Sequence, residues 1–183
     1  MKTFKKDYSR FQKGLGRLQT AMNGMPDRVP VFAQMHEFAM KELGLNAREF
    51  FTNPDLMVGG YLSVLEKFGI DVPTVDYDVY NIEAEAIGQT VIFSEHDMPD
   101  VDRSDPLIKN RNDLKKIKKP DFASDGRLAT VVEVNNLFGE LVGETPTLNF
   151  CGLFSLAANI RGIEQLILDI LMEPDFASEL LIA

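Results

Sequence analysis

The sequence predicts an α/β protein in which parallel strands alternate with helices. Three short apolar segments, Arg28–Gln34, Ile70–Val75 and Pro146–Cys151, have strand-like composition and are separated by stretches with helical apolar spacing. A tight turn cannot connect neighbouring parallel strands, which need a longer crossover that is usually a helix. Strands that alternate with helices therefore predict a parallel sheet. Parallel sheets bind ligands at the carboxyl ends of their strands. We therefore expect a functional site where these three segments end.

The helices are predicted from apolar residues at helical spacing and from residues that begin or end a helix. Asn53-Pro54 is a typical helix start, because proline suits the first helical position, and Asn46 can cap a short turn before it. After Gly152 the last helices carry apolar residues that include Ile163 and Ile167. The predicted helical segments are residues 8–23, 35–43, 54–68, 126–142 and those that follow Gly152.

The segment around residues 81–94 changes period. Ile82–Ile87 and Thr90–Phe93 alternate apolar and polar residues and flank Gly88-Gln89, which predicts a β-hairpin inserted between the βα units. We expect residues 1–183 to form a single domain that includes this excursion.

Composition excludes several classes of function. The net charge of −9 argues against binding to nucleic acid, and no apolar run is long enough to span a membrane. The single cysteine cannot form an internal disulfide and fits a reducing compartment, so a cytoplasmic location is expected.

Candidate site residues follow the third predicted strand. Asn149, Phe154 and Ser155 lie at or just beyond its carboxyl end and are candidates for substrate binding. The alternative for Ser155 is a helix cap. Cys151 has no basic neighbour in sequence that would lower its pKa, and a lone strand cysteine is usually a small core residue.

The chain contains two histidines. His36 lies just beyond the first predicted strand and is a candidate acid–base group that faces a ligand; the alternative is a packed or surface histidine beside Glu37. His96, in Ser94-Glu-His-Asp97, is expected to be exposed.

Three segments resemble the uroporphyrinogen decarboxylase superfamily, which includes the corrinoid and coenzyme M methyltransferases. They are Arg28–Phe32, Gly69–Asp78 with the following Glu83–Gly88, and Phe150–Glu164 with Glu173-Pro174-Asp175 behind it. The resemblance implies a (β/α)8 TIM barrel, which typically needs about 250 residues. With 183 residues and three predicted barrel strands, the chain resembles only the N-terminal half of that barrel.

The resemblance also assigns candidate roles. Asp78 corresponds to the family's aspartate, which in the decarboxylase holds the pyrrole nitrogens of the tetrapyrrole, and Tyr77 beside it is a candidate substrate-binding residue. The alternative is that Asp76 and Asp78 accept hydrogen bonds from loop amides. Asn159 falls near the family's active-site tyrosine. We expect Asp78 and His36 to be the catalytic residues.

One departure from the family pattern bears on activity. The decarboxylase carries two arginines that clamp substrate carboxylates, whereas this chain has Met35-His-Glu-Phe-Ala-Met40. Anchoring the comparison on the methionine puts His36 and Met40 at the arginine positions, and anchoring it on Pro30-Val31 shifts this by one, but neither register supplies an arginine. A substrate with many carboxylates needs such cations. The first hypothesis is therefore part of a methyltransferase that moves a methyl group between a small substrate or thiol and a corrinoid protein. The alternatives are a divergent uroporphyrinogen III decarboxylase and a non-catalytic barrel fragment.

Cofactor and partner expectations follow from the same resemblance. A zinc–thiolate site needs more than one cysteine, so we expect no metal and no cofactor within this chain, whereas a full-length methyltransferase parent would use zinc and a corrinoid. The expected partners are a small-molecule or tetrapyrrole substrate, a corrinoid protein, and a C-terminal barrel half or a second copy of the chain, with no nucleic acid and no membrane.

Overall fold

The chain is a helix-rich α/β protein. A computed structural model describes Phe4 and residues 7–78, 80–144, 146 and 149–183. The described residues fall into two compact units. Unit 1 takes those within Met1–Tyr77, Glu95–Met98 and Thr130–Leu148, and unit 2 takes those within Asp78–Ser94, Pro99–Ala129 and Asn149–Ala183.

The predicted helices are confirmed in both units. Those of unit 1 are α1 (Arg10–Met22), α2 (His36–Glu42), α3 (Ala47–Phe51), α4 (Pro54–Lys67) and most of α6 (Leu128–Val142). Asn46 begins α3 with a complete capping box, in which its side chain accepts from the Glu49 amide and the Glu49 side chain accepts from the Asn46 amide. Asn53 caps α4 through the Leu56 amide.

The core of unit 1 forms where α2 and α3 pack against α4. Four apolar residues at helical spacing in α4 are buried: Met57, Tyr61, Leu62 and Leu65. Phe68 lies just past the end of the helix and is half exposed, and its ring contacts the Phe38 ring edge-on. Val58 and Val64 are buried as well, so α4 is buried on more than one face.

The first two predicted strands are wrong as strands. Arg28–Gln34 and Ile70–Val75 form no strand in the part of the chain that the structure describes, and Arg28, Asp71 and Val72 lie in bends. The two segments do lie side by side, because the Asp71 and Val72 amides both donate to the Val31 carbonyl, at 3.1 and 3.2 Å. Prolines within each segment lack the amide that a regular ladder requires.

The third predicted strand, Pro146–Cys151, lies partly outside the described residues, which omit 147 and 148. Its described residues form no strand, and Phe150 is largely exposed rather than buried.

Hydrogen bonds to the Asp71 side chain hold the segments at 28–34 and 70–75 of unit 1 in place. Its Oδ1 accepts from Arg17 Nη1 of α1 at 2.5 Å and from Arg28 Nη2 at 2.7 Å. Its Oδ2 accepts from Arg28 Nη1 at 2.6 Å and from the Val31 amide at 2.9 Å. One buried carboxylate therefore joins α1, the segment at 28–31 and the segment at 70–75.

Unit 2 corrects the predicted hairpin. Its first arm is helix α5 (Ile82–Ala86), while the second arm contains β1 (Val91–Ile92), which pairs antiparallel with β2 (Asp100–Val101) beyond the predicted hairpin. Glu-Ala-Glu-Ala alternates like a strand, but glutamate and alanine are strong helix formers. Gly88-Gln89 ends the helix, with the Gln89 amide donating to the Ala84 carbonyl at 2.9 Å, and does not form a hairpin turn.

The core of unit 2 gathers residues from α5, β2 and the last helices. The latter are α7 (Leu153–Arg161), α8 (Ile163–Met172) and α9 (Pro174–Ile182), and a 3-10 helix spans Arg111–Lys116. The buried cluster comprises Ala84, Val101, Ile108, Ala157, Ile160, Leu166, Phe176 and Leu180. Only part of the apolar surface of α8 reaches this core; its exposed apolar residues are Ile163, Ile167, Leu168, Ile170, Leu171 and Met172.

Within the described part of the chain, no helix is both long enough and apolar enough to cross a membrane.

Two glycines of α1 provide a test of how unit 1 is packed. A Cβ on Gly14 would lie 1.8 Å from the Asp71 carbonyl oxygen, whereas a Cβ on Gly16 would have nothing within 4 Å. We expect Gly14→Ala to lower the free energy of unfolding by about 1–3 kcal/mol, because backbone would have to move. Gly16→Ala should raise it by about 0.5–1 kcal/mol, because alanine is the better helix former.

Urea unfolding of both variants checks this pair. Equal effects of the two substitutions would contradict the close approach of α1 to Asp71.

Candidate functional site

Asp78 is the first residue of unit 2 and is completely buried, with a relative exposure of 0%. Both of its carboxylate oxygens are engaged within that unit. Asn81 Nδ2 donates to Oδ1 at 2.6 Å, and Arg127 Nη2 donates to Oδ2 at 2.8 Å. Asn81 Nδ2 also donates to the Pro99 carbonyl at 2.9 Å, which ties the turn after Asp78 to the approach to β2.

Arg127 links two acidic side chains. Besides its bond to Asp78, its Nε donates to Glu85 Oε2 of α5 at 2.5 Å, and its guanidinium lies 5.0 Å from the centre of the Phe93 ring. Gly126 makes this approach possible, because a Cβ there would lie 2.9 Å from the Ala86 amide nitrogen and its φ of 54° favours glycine. The loop before α6 therefore places the buried guanidinium of Arg127 in contact with α5.

The electrostatic balance of this cluster favours a protonated Asp78 more than an ordinary aspartate. Burial raises the pKa of Asp78, and the negative charge of Glu85 raises it further. The positive charge of Arg127 and the hydrogen bonds from Arg127 and Asn81 lower it. Burial has the largest effect, so the pKa of Asp78 lies above its usual value. Arg127 is thus the group that keeps this buried carboxyl closer to ionisation.

Glu83 connects the same cluster to the segment before α7. Its Oε1 accepts a hydrogen bond from the Cys151 amide at 3.1 Å. Burial raises the pKa of the Cys151 thiol, and the negative charges of Glu83 and Asp78 raise it further. Cys151 is therefore held as a thiol, not as a reactive thiolate.

Unsatisfied polar atoms concentrate here. Five buried side-chain atoms in the described residues lack a hydrogen-bond partner, and three of them belong to this cluster: Asn81 Oδ1, Glu83 Oε2 and Arg127 Nη1. Such atoms are rare in native interiors and are found at strained or functional sites.

His36 lies in unit 1, at the first position of α2. It is the one non-glycine residue with positive φ, 31°, among those that the structure describes, and its buried Nδ1 has no partner. It lines a cleft of about 360 Å³ with Gln34, Met35, Glu37, Phe38 and Lys41. His96 is 80% exposed at its side chain, as expected, and lies beside Glu95.

The other predicted residues divide between the units. Tyr77 is buried in unit 1, whereas Asn149, Phe154, Ser155 and Asn159 belong to unit 2. Asn149, Phe154 and Ser155 are exposed, and the cap of α7 is Gly152, so the capping role considered for Ser155 is wrong.

Asn159 is the residue of this group that reaches the turn after Asp78. Its Nδ2 donates to the Tyr80 carbonyl at 2.5 Å, and it lines a cleft of about 410 Å³ between α7 and α8. Arg103 and Glu164 line the same cleft.

Sequence reasoning missed Arg127, Asn81 and Glu85. Arg127 is separated from Asp78 by 49 positions and follows a loop, so no spacing rule relates the two. The available signal was weak: a lone arginine after Gly126 at the start of an apolar helix.

The described residues do not fit a metal ion, because no group of three histidine, cysteine, aspartate or glutamate side chains among them is arranged to hold one. We assign no chemical step to a metal in this part of the chain.

The Arg127–Asp78 pair can be tested through stability. Arg127→Met should lower the free energy of unfolding by about 3–5 kcal/mol, because it leaves a buried carboxylate without its cation. The native state of this variant should bind a proton at Asp78, so its stability should fall as pH rises from about 5 to 8.

Arg103→Met is the matched control, since Arg103 pairs with Asp100 in the same unit but both side chains are more than half exposed. Its effect should stay within about 0.5 kcal/mol. Urea unfolding across this pH range measures both variants, and equal losses would contradict a special role of Arg127.

Comparisons with known proteins agree with this architecture. The profile of the uroporphyrinogen decarboxylase (URO-D) family matches residues 16–183. No curated protein matches the chain in sequence.

Among solved structures, a methyltransferase from Methanosarcina mazei superposes with a TM-score of 0.72 at 24% identity, over 92% of this chain and 51% of that protein. The chain thus spans about half the length of that methyltransferase, and the likeness shows a shared fold. Since the family profile covers nearly the whole sequence, the chain belongs to the uroporphyrinogen decarboxylase family.

Proposed function

We propose that this chain is part of a corrinoid-dependent methyltransferase that moves a methyl group between a small substrate or thiol and a corrinoid protein. The observation that carries the proposal is the state of Asp78. A carboxylate that holds a tetrapyrrole must accept several pyrrole N–H bonds. Here both Asp78 oxygens already accept bonds from Asn81 and Arg127, and the side chain is fully buried.

The segment Met35–Met40 supports the same proposal. A porphyrinogen substrate carries many carboxylates and needs cations, ideally arginines that bind in a bidentate manner. At the positions of the decarboxylase arginines, Met40 is completely buried and His36 lines the cleft. The nearby cation, Lys41, lies 3.9 Å from the Asp97 carboxylate. This cleft therefore suits a small, largely apolar substrate better than a polycarboxylate.

The proposed roles of the chain's own residues are electrostatic. Arg127 holds the Asp78 carboxyl in one orientation and opposes the rise in its pKa that burial causes. Asp78 then serves as a carboxyl of fixed orientation at the proposed catalytic centre, where the positive charge of Arg127 partly offsets its negative charge. His36 serves as the acid–base group of the cleft in unit 1. Tyr77, Asn149, Phe154, Ser155 and Asn159 remain proposed substrate-binding residues.

Zinc and a corrinoid are proposed only for a full-length parent. Zinc sites of this kind need thiolates, and Cys151 is the one cysteine of the sequence, with its pKa raised by burial and by Glu83 and Asp78. The proposed zinc ligands therefore lie outside this chain. The proposed location of the protein is the cytoplasm. Neither nucleic acid nor a membrane is proposed as a partner.

The activity is tested in a full-length protein that contains this chain, supplied with zinc, methylcobalamin and a small thiol. Methyl transfer, followed by the absorbance change of the corrinoid, is the expected result. Asp78→Asn should lower the rate about a hundredfold, because it removes the proposed charge at the catalytic centre. Asp100→Asn, at an exposed ion pair, is the control and should leave the rate unchanged.

A parallel reaction with uroporphyrinogen III separates the alternatives. Its decarboxylation without methyl transfer would support the divergent decarboxylase. A well-folded protein that is inactive in both assays would indicate a non-catalytic member of the family.

We also propose that the chain forms part of a (β/α)8 barrel whose C-terminal half covers the exposed face of α8. The face consists of apolar residues that include Ile167 and Leu171. Exposed apolar surface of this extent is typical of an interface. The methyltransferase of the same fold is about twice as long as the matched region, which supports the rest of a barrel as the occupant.

Ile167→Lys tests this surface by sedimentation velocity. The unmodified chain should co-sediment with a separately produced C-terminal half of its parent, and Ile167→Lys should weaken that association more than tenfold, because a charge would enter an apolar contact. Ile92→Lys, at an exposed position of β1, is the control. Self-association that depends on Ile167 would instead identify a second copy as the occupant, and no dependence on Ile167 would exclude this face.

A further inference from the structure

Two unfavourable features meet at His36. Its φ of 31° is a conformation that residues with a Cβ rarely adopt, and its Nδ1 is buried without a partner. Conformational strain and an unpaired polar atom both cost stability, and they persist only where the surrounding structure enforces them. The structure therefore needs a specific contact that holds this turn.

Tyr61 provides that contact. Its hydroxyl oxygen accepts hydrogen bonds from two consecutive amides, Met35 at 2.5 Å and His36 at 3.2 Å. The ring is completely buried in α4, so the hydroxyl cannot follow the turn if the turn moves. The same hydroxyl donates to Asp76 Oδ2, directly after the segment at 70–75.

The direction of these bonds is set by the surroundings. Burial raises the pKa of Tyr61, and the negative charge of Asp76 and its hydrogen bond raise it further, which far outweighs the effect of the two amides. The hydroxyl thus stays protonated and donates to Asp76, leaving its lone pairs for the amides. Asp76 is itself buried, so its acceptor oxygen is held firmly.

We propose that Tyr61 and Asp76 are positioning residues that hold the Met35–His36 turn in its strained conformation and thereby fix the His36 imidazole at the edge of the cleft in unit 1. This inference rests on the proposed function only in treating His36 as a group that meets a ligand. The positioning itself is a property of the chain without any ligand.

Nuclear magnetic resonance can test the positioning directly, because the sequence contains only two histidines, His36 and His96. Tyr61→Phe keeps the ring and removes the hydroxyl, so both amides and Asp76 lose their partner. The 1H–13C signals of the His36 imidazole should then shift or broaden, and the His96 signals, from an exposed side chain, should not change. The Met35 and His36 amides should also lose protection from hydrogen exchange.

Tyr8→Phe is the matched control. Tyr8 is also buried in unit 1, and its hydroxyl donates to the Gly59 carbonyl at 3.2 Å. The substitution Tyr8→Phe removes a comparable buried hydroxyl that makes no hydrogen bond to the Met35–His36 turn. Equal changes of the His36 signals in the two variants would overturn the proposal, because general loosening of unit 1 would then explain them.

Asp76→Asn decides the matter if Tyr61→Phe does not fold. The amide keeps an acceptor for the Tyr61 hydroxyl but removes the negative charge that orients it, so we expect the His36 signals to shift relative to those of the unmodified chain and the His96 signals to stay unchanged. Unchanged His36 signals in this variant would then overturn the proposal. A loss of methyl transfer with intact His36 positioning bears on the proposed function alone.

Discussion

The Asp71 carboxylate joins three segments of unit 1 that are distant in sequence. Burial raises its pKa, but hydrogen bonds from Arg28 and the Val31 amide and the charges of Arg17 and Arg28 outweigh burial, so the pKa lies below its ordinary value and Asp71 is ionised at neutral pH. These contacts set the segment after α1 beside the segment after α4. Because the two segments run together, their ends meet at Tyr61.

Side-chain hydrogen bonds thus take the place of a backbone ladder in this part of the fold. In unit 1 the links are made by Asp71 and by the Tyr61–Asp76 pair, and in unit 2 by Arg127 between Asp78 and α5. A ladder distributes its stability over many equivalent bonds, whereas these links depend on single buried groups. Replacing one such group should therefore lower the stability of the fold more than losing one hydrogen bond of a ladder would.

The two candidate centres differ in what they offer to a ligand. The Asp78 side chain is fully buried, and the neighbouring Arg127 binds the protein's own carboxylates. The His36 cleft is open and carries a strained residue with an unpaired nitrogen. An enzyme that binds a polycarboxylate would present free arginines, whereas one that positions a small group needs a few fixed polar side chains. This contrast is the physical basis of our proposal of methyl transfer.

The sequence alone determined most of the helices, the caps at Asn46 and Asn53, and the family. Apolar spacing and the Asn46 and Asn53 caps depend only on near neighbours in the chain, so they were predicted correctly. Strand pairing depends on partners far along the chain, and Glu-Ala-Glu-Ala fits either period, so the strands and the hairpin at 81–94 were not.

Only the tertiary structure decided which side chains meet at the two centres. The sequence drew attention to Asp78 and His36, but the contacts of Arg127 and Tyr61 join residues 49 and about 25 positions apart. Local periodicity carries no information about such contacts, because folding and not spacing brings the groups together.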